Sequence, residues 1–351
     1  MNDIDKKNEI MENSNNKRNI KNINYGIEIL RTFMSYGIVL IHVTKKEKIS
    51  CFFFTKFIYD WAIFYVPTFY IISFYFSFNI LEKRNIKKIK DRLKKIFIPY
   101  FIWPIFFWFS DIILNYKTIT IDKRFIISII NQLLIGSGYY TVLWFLFDMI
   151  MITCILVIII FIFKNRYITI IGSLYLSLYL IRIDYEHFFD QFKTKRSVKH
   201  IISSFMYSII GLYFRKISIA EKLKDSNEKY LLLLIFFVTL VKEKKNLLSI
   251  SYGFNVIVIG LFSSWLFLFA LSLNLNFILK FKIKNIIKQL TSYTGGIYYI
   301  HVGIRQMLFK YFKILILYDF KSSIVNYLLC YFICFIGSKA FKNSNLCYLF
   351  Y

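Results

Sequence analysis

Long apolar runs recur along almost the whole chain, and they constrain its architecture more than any other feature. About 20 apolar residues cross a bilayer as one helix. The candidate spans are 23–43, 57–81, 96–114, 142–163, 167–181, 200–214, 230–241, 252–273, 290–309 and 322–341. The expected class is therefore all-α, a polytopic membrane protein with about ten transmembrane helices. Composition agrees: 57% of the 351 residues are hydrophobic, against 45–50% in an ordinary soluble domain. The shortest run, 230–241, ends in Lys242-Glu243-Lys244-Lys245 and reads as re-entrant or tilted. Segment 126–140 reads as an interfacial or re-entrant helix feeding the fourth span.

Polar tails flank one membrane domain: 1–22 before it, 23–341 for the domain, and 342–351 after it. The first 21 residues lack the apolar core and cleavage site of a signal peptide, so the first span is expected to be retained. The connection Glu82–Lys95 carries eight Lys and Arg. That loop is expected on the cytoplasmic side, which puts both termini there too, in a multi-pass plasma-membrane protein. The net charge of +26 follows from such flanking Lys and Arg, and nucleic acid is excluded as a partner. The basic surface suits the lipid bilayer or a phosphorylated cofactor. The five cysteines form no metal-ligand spacing, and no metal site is expected.

Four pieces of the chain carry chemistry. The first span reads IEILRTFMSYGIVLIHV, with Glu28, Arg31, Ser35 and His42. Eleven residues separate Arg31 from His42; at about 100° and 1.5 Å each, the two share a helix face about 16 Å apart. An ionisable stripe inside a span is costly and suggests a site or pathway. Its structural reading is a Glu28–Arg31 pair with His42 at the interface. A second stripe sits in SYTGGIYYIHVGIRQML, where Thr294, Tyr298, His301 and Arg305 share a face; helix packing through Gly295 and Gly296 is the alternative. The third piece is Leu143-Trp144-Phe145-Leu146, an interface anchor if read structurally, with Asp148 one turn deeper. The fourth is Arg92–Trp103, a basic cluster running into Pro99. It reads either as topology with a helix starting near Pro99, or as a phosphate-facing surface.

In this order and spacing the pieces resemble the membrane-embedded acyltransferase 3 family. The resemblance covers roughly residues 23–341. It rests on Arg31 and His42 in an Arg-x10-His pattern, on Arg92 with Pro99, on Trp144-Phe145-Leu146, and on Gly296-Ile297-Tyr298-Tyr299-Ile300-His301. Two departures stand out. Phe74 follows Ser73 where members commonly have Gly, and Glu28 stands where Asp is commoner.

The resemblance implies transfer of an acyl group to a hydroxyl on a bacterial surface polysaccharide or its lipid-linked precursor. Acetyl-CoA would be the acyl donor, with no permanently bound cofactor, and the partners would be the bilayer, acetyl-CoA and the cell-envelope glycan. His42 and Arg31 are the expected catalytic pair. His42 acts as base or covalent carrier, since imidazole takes a proton near neutral pH. Arg31 aligns the thioester or holds its oxyanion. Arg92, Lys94 and Lys95 are expected to bind the donor's phosphates. Trp144, Tyr298, His301 and Glu28 are expected to contact substrate. The rival reading is a transporter or flippase for a lipid-linked glycan, since ionisable stripes also line transport pathways.

Overall fold

The computed structural model describes residues 24–44, 53–114, 143–163, 195–224, 252–273, 279–312 and 320–351, with residues 126–127, 129–131, 167, 170–174, 177 and 275. Its regular elements are helices, and no strand occurs among the described residues. They are α1 (Tyr25–Val43), α2 (Phe53–Asp60), α3 (Ala62–Glu82), α4 (Ile86–Leu114), α5 (Trp144–Phe163), α6 (Lys195–Lys216), α7 (Ile219–Lys224), α8 (Tyr252–Ser272), α9 (Phe281–Ser292), α10 (Thr294–Phe312) and α11 (Phe320–Ala340), followed by a 3-10 turn at Asn345–Leu349. By length and apolarity, four described helices can cross a membrane: Tyr25–Val43, Ala62–Glu82, Trp144–Phe163 and Lys321–Ala340. The expected span 230–241 lies outside the described residues, and 167–181 lies largely outside them.

Helix direction follows from the contacts. Gly26 at the start of α1 meets Ala270 and Leu273 at the end of α8, so these two helices are antiparallel. Helices α3 and α8 are parallel, with Phe64 against Phe262 and Tyr75 against Phe267. Helices α1 and α10 are also parallel, Arg31 reaching Thr294 and His42 lying beside His301. α11 returns antiparallel to α10, since Ser338 donates to Tyr293 while Asn326 donates to the His301 carbonyl.

Small residues bring the backbones close, as expected where lipid supplies no hydrophobic force between helices. Gly211 of α6 lies on the Ile71 carbonyl and the Tyr75 amide of α3, and Gly37 of α1 receives the Tyr65 ring. Polar side chains add cross-links between α1 and α11: Ser35 with Tyr327 at 3.1 Å and Tyr36 with Ser323 at 3.0 Å.

Three sequence expectations are corrected. Glu82–Lys95 is not a loop, and no helix starts at Pro99. After a short turn at Lys83–Asn85, in which Arg84 takes φ 50°, α4 runs unbroken for 29 residues with Pro99 and Pro104 inside it. The start is set by Asn85, whose side chain accepts the Lys88 amide at 3.0 Å, as an N-cap does. Lys, Arg, Ile and Leu then carry the helix forward through their good propensities. Nor is 290–309 one helix. It breaks at Tyr293, where Thr291 and Ser292 donate to the Ile287 and Gln289 carbonyls and Thr294 donates to that of Thr291. Such i−3 and i−4 hydroxyl–carbonyl bonds compete with the backbone ladder at this point.

The segment after α11 folds back against the bundle. Trp103 of α4 donates its indole N–H to the Leu349 carbonyl at 3.2 Å. The Phe350 carbonyl lies on Gly296, and the Phe350 ring lies on Gly337. The expected tail 342–351 is thus a wedge between α4, α10 and α11.

Gly211→Val places a methyl-bearing carbon into the Ile71 carbonyl. Thermal melting in detergent is expected to show a loss of about 1–3 kcal/mol. Gly172→Ala, where nothing lies within 4 Å, leaves the melt unchanged.

Candidate functional site

Helix α1 is continuous from Tyr25 to Val43, so the Arg31–His42 separation of eleven residues stands at about 16 Å. Both face α10. At one end, Arg31 donates to Glu28 at 3.4 Å and to the Thr294 hydroxyl at 3.3 Å. At the other, the His42 ring lies 5.2 Å from that of His301, centroid to centroid and tilted by 42°. One turn beyond His301, Arg305 donates to the His42 backbone carbonyl. The carbonyls of the last helical turn have no partner within the helix, and a guanidinium suits the negative end of the helix dipole.

This geometry separates the two members of the expected pair. Arg31 and His42 lie at opposite ends of the stripe, about 16 Å apart along the axis. Glu28 is held by Arg31 in a salt bridge, which is the structural reading of the stripe's first turn.

Arg31 shares its end of the bundle with two other arginines. Tyr65 on α3 packs over Gly37 and Phe33 of antiparallel α1. Ser73 lies eight residues further along α3, about 12 Å, at the depth of the first turns of α1. There Arg92 donates to the Ser73 hydroxyl at 3.0 Å and stacks on Phe74 at 5.0 Å. Phe74, where the sequence departs from the resemblance, thus becomes the platform for the arginine. Two residues on, Arg215 of α6 donates to the Tyr75 hydroxyl at 3.4 Å. The expected trio of Arg92, Lys94 and Lys95 does not cluster. Arg92 turns inward, Lys94 and Lys95 are exposed, and the Lys95 ammonium sits over the Tyr348 ring at 5.7 Å.

Around His301 the packing is aromatic and polar together. Tyr298 lies 5.9 Å from it, ring to ring. Phe145 bridges Tyr298 at 5.2 Å and Tyr70 at 4.7 Å. Of the Trp144-Phe145-Leu146 triplet it is therefore Phe145 that meets Tyr298, while Trp144 lies against His200 at 4.5 Å. Behind Phe145, the buried Asp148 carboxylate accepts the Ser204 hydroxyl at 3.0 Å and the Tyr70 hydroxyl at 3.3 Å. These donors come from α6 and α3, so three helices meet at one oxygen. No group of His, Cys, Asp and Glu able to hold a metal occurs among the described residues.

Sequence reasoning named Phe145 only as part of the Trp144-Phe145-Leu146 triplet, and it passed over Tyr70, Ser204 and Arg215. Nothing marks Arg215 locally, because a basic residue at the end of a span serves topology equally well. Arg305 was visible as the last member of the face Thr294, Tyr298, His301, Arg305. Its hold on the His42 carbonyl needs the packed pair of helices.

A family model described as an acyltransferase domain matches residues 24–341. Comparison with curated proteins and with solved structures finds no match.

Replacing Asp148 by Leu leaves the Tyr70 and Ser204 hydroxyls without their acceptor. The expected cost is about 1–3 kcal/mol for each unpaired group, read as a lower melting temperature. Asp148→Asn, which keeps an acceptor oxygen, is expected to recover most of the loss. Equal melts for the two variants would show that the hydroxyl contacts contribute nothing.

Proposed function

The chain belongs to the acyltransferase 3 family, and we propose that it moves acetyl from acetyl-CoA to a hydroxyl of a cell-envelope polysaccharide or its lipid-linked precursor. The observation that carries this reading is the two-ended stripe of α1 against α10, a guanidinium at one end and an imidazole pair at the other. An elongated donor, anionic at one end and reactive at the other, suits such a stripe. Arg31, Arg92 and Arg215 supply forked donors at the same end of the bundle, the chemistry that phosphate oxygens require. That end carries the basic first half of α4 and is the cytoplasmic one under the positive-inside rule, the side from which acetyl-CoA comes. Lys94 and Lys95, exposed on the same helix, attract the polyanion at longer range.

His42 lies at the far end of the stripe. There it removes the proton from the acceptor hydroxyl as the hydroxyl oxygen bonds to the thioester carbon. The carbon–sulfur bond breaks, the CoA thiolate leaves, and the proton held by His42 passes to that sulfur. The same imidazole can instead take the acetyl group itself and pass it on. Tyr298, with Phe145, borders the position where the acceptor approaches, and His301 lies behind His42. Trp144, lying against His200, contributes further along α5 and α6. Glu28 holds Arg31 rather than the glycan. The protein lies in the plasma membrane with both termini inside, on the same basic-residue argument.

The test uses purified protein and surface glycan from cells with matched membrane levels. His42→Ala is expected to lower acetyl transfer by about 100-fold or more. Arg31→Ala is expected to raise KM for acetyl-CoA with a smaller change in kcat, the signature of lost binding away from the reacting atoms. Acetyl-CoA at about 100 times its Kd should stabilise the protein by about 2.7 kcal/mol. Absence of that stabilisation, with acetylation equal in all three proteins, would reject acyl transfer in favour of glycan transport.

A further inference from the structure

We propose that His301 is a positioning residue for His42. Its Nε2 lone pair accepts the N–H of the His42 ring, leaving the other His42 nitrogen free for the acceptor hydroxyl. The proposal rests on the reading of His42 as the base and adds how that base is held.

The first observation is the state of the His301 ring. Its Nδ1 lies 2.7 Å from the Tyr298 carbonyl oxygen. A carbonyl only accepts, so Nδ1 carries the hydrogen and the neutral ring keeps its lone pair on Nε2. The second observation is that Nε2 is buried without a hydrogen-bond partner, on a residue 0% exposed. A buried acceptor with no donor is costly and uncommon in a folded protein. The third is the neighbour. The one imidazole recorded beside it is His42, 5.2 Å away between centroids, so the ring edges are in contact. A change in the His42 side-chain torsions, between staggered wells, turns an N–H onto that lone pair.

The rest of the site agrees with this order of the two rings. His42 is half-buried, whereas His301 lies fully buried behind it. A hydroxyl entering from outside the bundle meets His42 first, so His301 acts through His42 and not on substrate. His301 is also pinned. Asn326 donates to its backbone carbonyl at 3.1 Å, and Cys330 lies 3.7 Å from the Asn326 side-chain oxygen. Arg305, four residues on, grips the His42 carbonyl. One helix therefore fixes the backbone of His42 through Arg305 and its ring through His301. In the transfer step the acceptor proton goes to the outward His42 nitrogen. The N–H between the rings stays on His42, and its hydrogen bond strengthens as that ring becomes cationic.

Three variants separate the roles. His301→Gln sets an amide oxygen near the place of Nε2. His301→Asn reaches only to the depth of Nδ1 and keeps the Tyr298 contact. His301→Leu does neither. Acetyl transfer by the purified full-length protein is measured as kcat and KM. The rate at which diethyl pyrocarbonate modifies His42 is read by mass spectrometry without substrate. The Gln variant is expected to retain kcat within about 10-fold, and the Asn and Leu variants to lose about 100-fold with KM for acetyl-CoA unchanged. Modification of His42 should slow several-fold in Asn and Leu but not in Gln.

Wild-type kcat in the Asn or Leu variant overturns the proposal. So does loss of transfer in all three variants with His42 modified at the wild-type rate throughout, since His301 then acts for itself. If wild-type protein shows no acetyl transfer but His42 modification follows the Gln-against-Asn pattern, the acyltransfer reading fails and the His301–His42 coupling stands.

Discussion

The parallel pairing of α1 with α10 is the constraint on which the rest of this structure depends. Two helices in lipid gain nothing from hiding apolar surface from one another, so their register has to come from polar contacts and close backbone approach. Here the register is set at both ends. Arg31 meets Thr294 where α10 begins, and Arg305 meets the carbonyl of His42 where α1 ends. Those contacts place the two histidines side by side. A slip of one turn, about 5.4 Å, would separate them and break the Arg31–Thr294 and Arg305–His42 contacts, at a cost neither helix can recover from lipid.

The break at Tyr293 belongs to the same logic. Had α9 and α10 formed one helix, Thr294 would have spent its backbone inside a regular ladder. Three hydroxyls bond nearby carbonyls at that break, and the Thr294 hydroxyl also accepts Arg31. The amphipathic α9 carries Lys282, Lys284 and Lys288, with Phe281, Ile283 and Ile286 exposed. That combination suits a helix lying in the interface rather than crossing it. Gly295 and Gly296 work at the other side of α10, where they admit the backbone of Phe350 and Tyr351.

Along the long axis the polar groups differ between the two ends. Arg31, Arg92 and Arg215 lie at one end, each seated on a hydroxyl or an aromatic ring, while Arg305 holds the His42 carbonyl at the other. Imidazoles and the Asp148 carboxylate lie deeper along α1, α5 and α10, among Phe145, Tyr70 and Tyr298. Under the proposed function, such an order separates the work of holding an anion from the work of moving a proton. Phosphate needs fixed, forked, permanently charged donors, whereas proton transfer needs a group that changes state in a site kept from bulk water.

Local pattern alone was enough to establish the helical class, the stripe on the first span and the shared face of Thr294, Tyr298, His301 and Arg305. Those features depend only on a helix repeating every 3.6 residues and on the cost of leaving backbone unpaired in lipid. What the chain could not reveal locally depends on neighbours distant in sequence. The run of α4 through Pro99 and Pro104, the turning of Arg92 onto Phe74, and the choice of Phe145 over Trp144 beside Tyr298 are all settled by packing between helices. So is the state of His301. A histidine in a span reads the same whether its ring is satisfied or not, and only the placement of the Tyr298 carbonyl against one ring nitrogen, and of His42 beside the ring, gives the other nitrogen its chemistry.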